Sequence, residues 1–550
     1  MKRAVLLPAR FALQLAIAFA SGGFGVLAFA PLQWWPLALV SMFFLFALWH
    51  RAGSVRRAFA IGFAWGLGLF LAGVPWIYVS LHVFGGMPVI LAAIATFLFC
   101  CYLSIFPALA CVLHRKLVAG FGVSAVASLL LVMPACFVIG EYVRGWFFSG
   151  FPWLVFGYSQ TPGGLAFPPL IGYAPVIGAF GISWLLAMTA GLGVLFMRPT
   201  SGIVWSRRGR SVALGATLAV WAIGGALHQY PWSAPKGAPL TVALLQGNIE
   251  QSLKWREDQR LPTLNAYREM VEKSTARLIV LPETALPVLH EVPADYLAAL
   301  KRRSEMNGGD AIVGTAIVER DAGDGRLRRV TNSAVSIGSS PLQRYDKQHL
   351  VVFGEFIPPL FSWVYQWLKI PVGSMDAGSI DQKPMQIAGH AVAVNICYED
   401  AFGPEIARQL PEAELLVNIS NMAWFGNLFA SDQQAQFSQM RALETGRWIL
   451  RSTNTGVTAA INEKGEIVKA LPQFVRGTLE VEVQPRAGTT PYVLWQDRVI
   501  LGLLLLALAV GCALKYVDRH SAALPEQKQP ATRTSAGVSR NFAAMPPVRE

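Results

Sequence analysis

Residues 87–113 read MPVILAAIATFLFCCYLSIFPALACVL, a run without one charged side chain. Coiled as an α-helix at 1.5 Å per residue it extends about 40 Å, more than the roughly 30 Å hydrocarbon core of a bilayer. No strand is that long, and the interior of a soluble domain rarely asks for such a helix. Lipid is therefore the solvent for part of this chain. The same template of about 20 mostly apolar residues finds three more candidates before this run (10–29, 32–49 and 58–80) and three after it (122–142, 174–197 and 211–229). An eighth covers 497–517. Composition agrees. Of 550 residues, 54% are hydrophobic and 14% charged, with a mean hydropathy of +0.43, whereas soluble domains carry about 25% charged residues. Bulk disorder is excluded, because it needs low hydrophobicity and high charge.

The net charge of +13 finds its explanation in where the basic residues fall, and nucleic acid is not needed to account for it. They cluster at Lys2, Arg3 and Arg10, in His50–Arg57 (HRAGSVRR), in His114–Lys116 (HRK), in Arg198–Arg210 (RPTSGIVWSRRGR), and at Lys515 and Arg519. The alternate loops, Pro31–Pro36 (PLQWWP) and Leu81–Pro88 (LHVFGGMP), contain neither Lys nor Arg. The positive-inside rule then puts both termini in the cytoplasm. The expected organisation is a seven-span membrane domain over 1–230, an extracytoplasmic domain over 231–496, an eighth span over 497–517 and a disordered cytoplasmic tail over 518–550. The basic N-terminus resembles a signal peptide, but a second apolar run follows at once, so the first span is expected to be retained. Glu141 and Arg144, near a span end, are almost the only intramembrane charges, which speaks against an ion-coupled transporter. Between spans five and six lies an aromatic segment with Trp146, Phe147, Phe148, Phe151, Trp153, Phe156 and Tyr158. It fits both an interfacial belt and a wall beside a site on the outer face.

From about 240 the texture changes. Short β-rich runs recur at Leu240–Gln246, Leu278–Leu281, Ala311–Val318, Asn332–Ile337, Ala391–Ile396, Leu415–Ile419, Gly456–Ile461 and Gly477–Val483. Helical stretches at Asp258–Glu272, Asp295–Met306, Phe402–Gln409 and Ser431–Gly446 lie between several of them. Such alternation predicts a layered α/β fold with largely buried strands.

Zinc-type spacings, a GxSxG elbow and a Walker A loop are all missing from the sequence, and five of the six cysteines sit inside apolar runs. Three polar residues stand at or just past strand ends: Glu283 in LPETALP, Lys347 in YDKQHLVVFGEF, and Cys397 in NICYED. A thiol followed by two acids is harder to ionise, so a nearby cation is needed to lower its pKa. Lys347 is a candidate for that cation and Glu283 for the base. Each also has a plain structural reading: Cys397 as packing behind a strand, Glu283 as a turn residue before Pro287, Lys347 as a solvated charge. Spacing alone does not join residues more than a hundred positions apart.

In combination and in this order, LPETALP, YDKQHLVVFGEFIP and NICYED resemble the Glu-Lys-Cys signature of the nitrilase (carbon–nitrogen hydrolase) superfamily. With seven spans before the domain and one after, residues 1–520 resemble the bacterial apolipoprotein N-acyltransferases, a membrane-bound branch of it. Gln246–Trp255 (QGNIEQSLKW), Asn418–Gly426 (NISNMAWFG) and Arg441–Arg447 (RALETGR) are similar too. The resemblance implies an α-β-β-α sandwich on a multi-pass helical membrane domain of about eight spans. It implies Cys397 as nucleophile, Glu283 as general base and Lys347 as oxyanion stabiliser, with Glu355, Glu399 and Tyr398 in support. It further implies that Trp255, Tyr398 and Trp424 lie near the acyl or lipoprotein path. The implied activity moves an acyl chain from a phospholipid, preferably phosphatidylethanolamine, to the α-amine of a diacylglyceryl cysteine through a thioester. The implied setting is a bacterial inner membrane, with the catalytic domain periplasmic, and a monomer that uses no metal or cofactor and binds no nucleic acid. The competing expectations are a membrane-tethered amidase of nitrilase type and an inactive membrane scaffold.

Overall fold

The computed structural model describes residues 9–197, 207–254, 256–321, 323–358 and 375–521. Six helices in it are long and apolar enough to cross a membrane: Ala9–Ala28, Val55–Gly73, Val89–Phe121, Ala125–Ser149, Ile171–Met197 and Arg208–Gln229. Two shorter apolar helices, Pro36–His50 and Arg498–Leu514, take the positions of the other two expected spans. The second span is shorter than expected because Pro36 opens its helix at the first position, where a missing N–H costs nothing. The third starts at a Ser54 side chain that accepts from the Arg57 N–H and stops at Gly73, before Pro75. Of the tail expected to be disordered over 518–550, residues 518–521 instead continue the Arg498–Ser521 helix, and the rest lies outside the described residues.

The part between the Arg208–Gln229 and Arg498–Leu514 helices is a four-layer α-β-β-α sandwich. One sheet runs, in spatial order, Gly477–Val483, Leu240–Gln246, Leu278–Val280, Asp310–Arg320, Leu327–Gly338 and Arg344–Asp346, with Leu286–Val288 also beside Asp310–Arg320. The other runs Ile467–Ala470, Ala459–Ile461, Ile449–Thr453, Leu415–Ser420, His390–Ile396 and Met385–Ile387. Alternation along the strands dictates the layers. Val242, Leu244, Val280 and Ile312 meet Val392, Val394, Ile396, Val417 and Ile419 between the sheets. The intervening Ala243, Leu245, Ile279 and Val313 face outward, under Leu264, Tyr267 and Val271 of the Glu257–Lys273 helix. On the far side Ala393, Leu416 and Ile449 pack with Ala435 and Ala442 of the Ala430–Thr445 helix. Parallel pairing of His390–Ile396 with Leu415–Ser420, and of Leu240–Gln246 with Leu278–Val280, directs strand ends carrying polar loops to one edge.

The Ala430–Thr445 helix is buried along its whole length although it reads ASDQQAQFSQMRALET. Its apolar Phe437, Met440 and Leu443 share a core with the membrane helices. Its glutamines meet backbone groups at interrupted helix ends. Gln433 accepts from Trp76 Nε1 and donates to the Gly73 carbonyl (3.2 and 3.0 Å). Gln436 accepts from the Ala30 N–H and donates to Thr161 Oγ1 (2.9 and 3.0 Å). Apolar surroundings leave such groups no other partner, so sandwich and bundle are stitched together. Glu141 and Arg144 serve the same seam: Glu141 Oε1 accepts from the Phe156 N–H at 2.9 Å, and Arg144 donates to the carbonyls of Phe151 and Trp153 (2.6 and 2.5 Å).

Candidate active site at the seam between sandwich and membrane bundle

Four side chains on three loops converge at the strand ends. Glu283 follows Leu278–Val280, Lys347 follows Arg344–Asp346, Glu355 lies eight residues on, and Cys397 begins a 3₁₀ turn directly after His390–Ile396. Each of these loops contains a non-glycine residue with positive φ: Thr284 (48°), Phe353 (65°) and Cys397 itself (58°). Such conformations cost of order 1–3 kcal/mol each and persist only where surrounding contacts impose them. Around Cys397 the contacts are specific. Asn418 Nδ2 donates to the Cys397 carbonyl at 2.8 Å, and the Glu399 carboxylate accepts from the preceding Ile396 N–H at 2.6 Å.

Lys347 is 1% exposed and sits between two carboxylates, 2.8 Å from Glu355 Oε1 and 3.6 Å from Glu283 Oε1. Asn332 Nδ2 bridges the same pair at 2.6 and 3.0 Å. The other Glu283 oxygen accepts from the Asn421 N–H at 2.8 Å, and that of Glu355 from the Val351 N–H at 2.9 Å. Burial alone drives a lysine down, but Glu355, Cys397 and Glu283 outweigh it and hold Lys347 well above the usual lysine range. It is a fixed cation.

Lys347 pulls the Cys397 thiol down, as expected of a nearby cation, but not far enough to bring it below its ordinary value. Burial pushes the thiol up, Glu283 adds to that, and the opposing pull of Lys347 does not offset Glu283, Glu355 and Asp400 acting with burial. A thiol held in its protonated form attacks only if a base removes its proton as the new bond forms. Glu283 is the neighbouring carboxylate with this opportunity, while Glu355 is tied to Lys347.

Glu399 is fully buried and joins two loops. It accepts from the N–H groups of Gln348 and His349 (2.7 and 3.1 Å) and from Tyr345 Oη (3.1 Å), besides Ile396. Burial raises its carboxyl to about 7 against the pull of the Ile396 N–H and Lys347. It holds the cysteine loop to the lysine loop. Tyr398 reaches the membrane part: its hydroxyl donates to the Ser149 carbonyl at 3.3 Å, and its ring stacks on Trp153 at 6.2 Å. Trp424 is 41% exposed and faces Phe84 at 6.1 Å, at the rim. Trp255 lies outside the described residues. The aromatic segment divides its duties: Phe147 and Phe148 are exposed, while Trp153 and Tyr158 are buried against Phe437 (4.8 Å each).

Several site residues were not singled out in the sequence: Asn332, Asn421, Asn418, His349, Arg451 and Lys254. His349 contacts the Ser149 carbonyl through Nε2 (2.7 Å) and Glu405 through Nδ1 (3.0 Å), a second tie between the lysine loop and the bundle. Arg451 and Asp400, both 0% exposed, pair at 2.9 Å, and Arg451 also donates to the Asn418 side chain at 3.0 Å. Removing one partner of a buried pair costs about 3–5 kcal/mol. Arg451→Met is therefore expected to lower the unfolding temperature of the detergent-solubilised protein markedly and to slow turnover through the loosened Asn418–Cys397 contact. An unchanged melting curve would show the pair to be dispensable.

Residues 21–192 match the family model described as apolipoprotein N-acyltransferase N-terminal domain, and residues 241–492 match that for carbon-nitrogen hydrolase. Proteins called apolipoprotein N-acyltransferase resemble the chain over most of its length. That of Nitrosomonas europaea is 43% identical, with 92% of this chain and 98% of the relative covered. For Ralstonia nicotianae the values are 42%, 92% and 94%, and for Methylococcus capsulatus 43%, 86% and 91%. A bundle that extends into the first match, a sandwich that fills the second, and full-length similarity to these relatives lead to one conclusion: the chain belongs to the apolipoprotein N-acyltransferase family.

Proposed function

We propose that this protein transfers an acyl chain from a phospholipid, phosphatidylethanolamine in the first instance, to the α-amine of the N-terminal diacylglyceryl cysteine of an apolipoprotein. Cys397 Sγ attacks the ester carbonyl while Glu283 takes the thiol proton. Lys347 stabilises the oxyanion, and collapse expels the lysophospholipid, which leaves with that proton. The acceptor amine then attacks the thioester, the amide forms, and the thiol is restored. Glu355, Glu399 and Tyr398 hold the reacting groups, and Trp255 and Trp424 line the path of the acyl chain or lipoprotein. The protein works as a monomer in the bacterial inner membrane, with its sandwich in the periplasm, an orientation supported by the basic loops.

The observation that carries this reading is the tie between nucleophile and membrane. Tyr398, next to Cys397, is hydrogen-bonded to Ser149 at the end of the Ala125–Ser149 span. An amidase acting on a small soluble amide gains nothing from this. Two lipid-anchored substrates do, because both present their reacting groups at that depth.

The test uses the full-length protein in vesicles. With phospholipid and no acceptor it is expected to gain one fatty-acyl mass on the peptide containing Cys397, released by neutral hydroxylamine. A diacylated lipopeptide with a free α-amine then discharges the adduct into a triacylated product, and an N-acetylated lipopeptide does not. Accumulation of free fatty acid without lipopeptide would favour the amidase. A stable adduct on another residue would discard the site.

A further inference from the structure

Lys254 lies between the Leu240–Gln246 strand and the Glu257–Lys273 helix, 5% exposed. Its Nζ donates to the Glu283 backbone carbonyl at 3.1 Å, its one hydrogen bond among the described residues. A buried ammonium with a single neutral acceptor is an expensive arrangement, and a methionine would fill the same volume without that cost.

Charge balance gives the ammonium a purpose. Glu283 and Glu355 bring two negative charges to the site and Lys347 one positive, while Asp400 is answered by Arg451. Across these five groups one negative charge is left uncompensated, in the place where the thiol must lose its proton and an oxyanion must then form, and the buried Glu399 on the cysteine loop can only add to it. The Glu283 loop is also under constraint. Thr284 has a φ of 48°, and a Cβ on Gly314 would come within 2.3 Å of the Pro282 carbonyl and 2.7 Å of Glu283 Cα, so the loop lies flat against the Asp310–Arg320 strand. We propose that Lys254 is the second cation of this site, a positioning residue that fastens the Glu283 loop by its carbonyl and sets a positive charge against the Glu283 carboxylate while negative charge builds beside it. The proposal rests on the reading of Glu283 as general base.

Glu283 is the charged group that acts on Lys254; Lys347 and Cys397 stand beside Glu283, with Glu355 on the lysine loop and Glu399 and Asp400 on the cysteine loop next to them and Arg451 behind Asp400. Glu250, Arg256 and Glu257, on the segment of Lys254 itself, are exposed. Burial pushes Lys254 down to about 8, with Glu283 pulling the other way. The ammonium is thus present below that pH and lost above it. Its loss weakens the site on the alkaline side. Its permanent removal takes a positive charge from beside the Glu283 carboxylate, which moves the acid limb upward.

The experiment follows single-turnover acylation of Cys397 by phospholipid in the full-length protein from pH 5 to 9. In Lys254→Met the acid limb is expected to move up by about one pH unit and the plateau rate to fall. In Lys254→Arg the guanidinium stays charged, so the acid limb is kept and the decline near pH 8 disappears. A Lys254→Met profile that is only scaled down, with no shift, would reduce Lys254 to a structural tie and overturn the proposal. If that variant does not fold, the Arg variant decides: an alkaline limb unchanged from wild type overturns it equally. Glu283→Gln is run alongside. Native-rate acylation in Glu283→Gln would sink the base assignment itself, whereas a slow Glu283→Gln with unshifted Lys254 profiles sinks the present inference alone.

Discussion

Cys397→Ala is expected to take up no acyl mass from phospholipid and to make no triacylated lipopeptide, a loss on the order of a million-fold, as for other enzymes stripped of a covalent nucleophile. The substitution removes one sulfur at a position whose φ of 58° alanine meets with the same strain, and the Asn418 and Glu399 contacts that hold this turn engage backbone groups. The fold therefore remains, and an unfolding temperature close to wild type separates lost chemistry from lost structure. No other thiol can replace it. The other five all lie on the bundle helices: Cys100, Cys101 and Cys111 on Val89–Phe121, Cys136 on Ala125–Ser149 and Cys512 on Arg498–Leu514. In the proposed mechanism both half-reactions fail together, because the same sulfur forms the thioester and is the group from which the amine takes the acyl chain. Mass spectrometry of the intact protein reads the first half and lipopeptide acylation the second. Activity within about tenfold of wild type would remove Cys397 from the mechanism and leave the family membership standing.

The bundle was legible in the sequence because apolar length is a one-dimensional signal: each of the eight runs contains a helix. The sandwich strands with clean apolar runs were legible for the same reason, as at Leu240–Gln246 and Gly477–Val483. Ile449–Thr453 was not. It reads ILRST, and an arginine in the middle of a five-residue strand hides a segment that is buried throughout. Only the fold brings Asp400 to it. Short edge strands such as Met385–Ile387 and Arg344–Asp346 are too brief to carry a period.

At the site, Glu283, Lys347 and Cys397 were found as polar residues at strand ends and through a family resemblance. Their partners escaped because an asparagine or a glutamine carries no local signal. Asn332 stands in the middle of a strand, Asn421 acts partly through its backbone N–H, and the glutamines of Ala430–Thr445 resemble an ordinary solvated face. What reveals them is an acceptor brought within reach by chain far away in sequence: 49 positions for Asn332 and Glu283, 360 for Gln433 and Gly73. The two acids after Cys397 point to a thiol that is hard to ionise, and it is; how little the neighbouring cation relieves this is hidden for a related reason. Sequence offers a cation near a thiol, but only the structure discloses that the cation is already engaged by Glu355.

Lys347→Met is expected to slow both half-reactions by more than the 10²–10³-fold typical of a lost oxyanion donor, because Lys347 does two things at once. It is the fixed positive charge beside Cys397, so in the proposed mechanism its removal leaves the tetrahedral oxyanion without that stabilisation. It also separates Glu283 from Glu355. Without it the two carboxylates are bridged by Asn332 Nδ2 alone, at 2.6 and 3.0 Å, and like charges this close share one proton. A proton held between them takes away the base as well. The two losses are distinguishable by pH. Loss of the oxyanion partner lowers the rate equally at every pH, whereas the shared proton leaves as pH rises, so residual acylation in Lys347→Met should climb between pH 6 and pH 9 by about tenfold or more. Methionine keeps the volume of the buried stem, which limits any cavity penalty. Glu355→Gln in the same background removes the like charge, and it should flatten the climb and recover part of the rate near neutrality. A Lys347→Met enzyme with a flat profile would confine Lys347 to the oxyanion, and one of near-native rate would end its place in the mechanism.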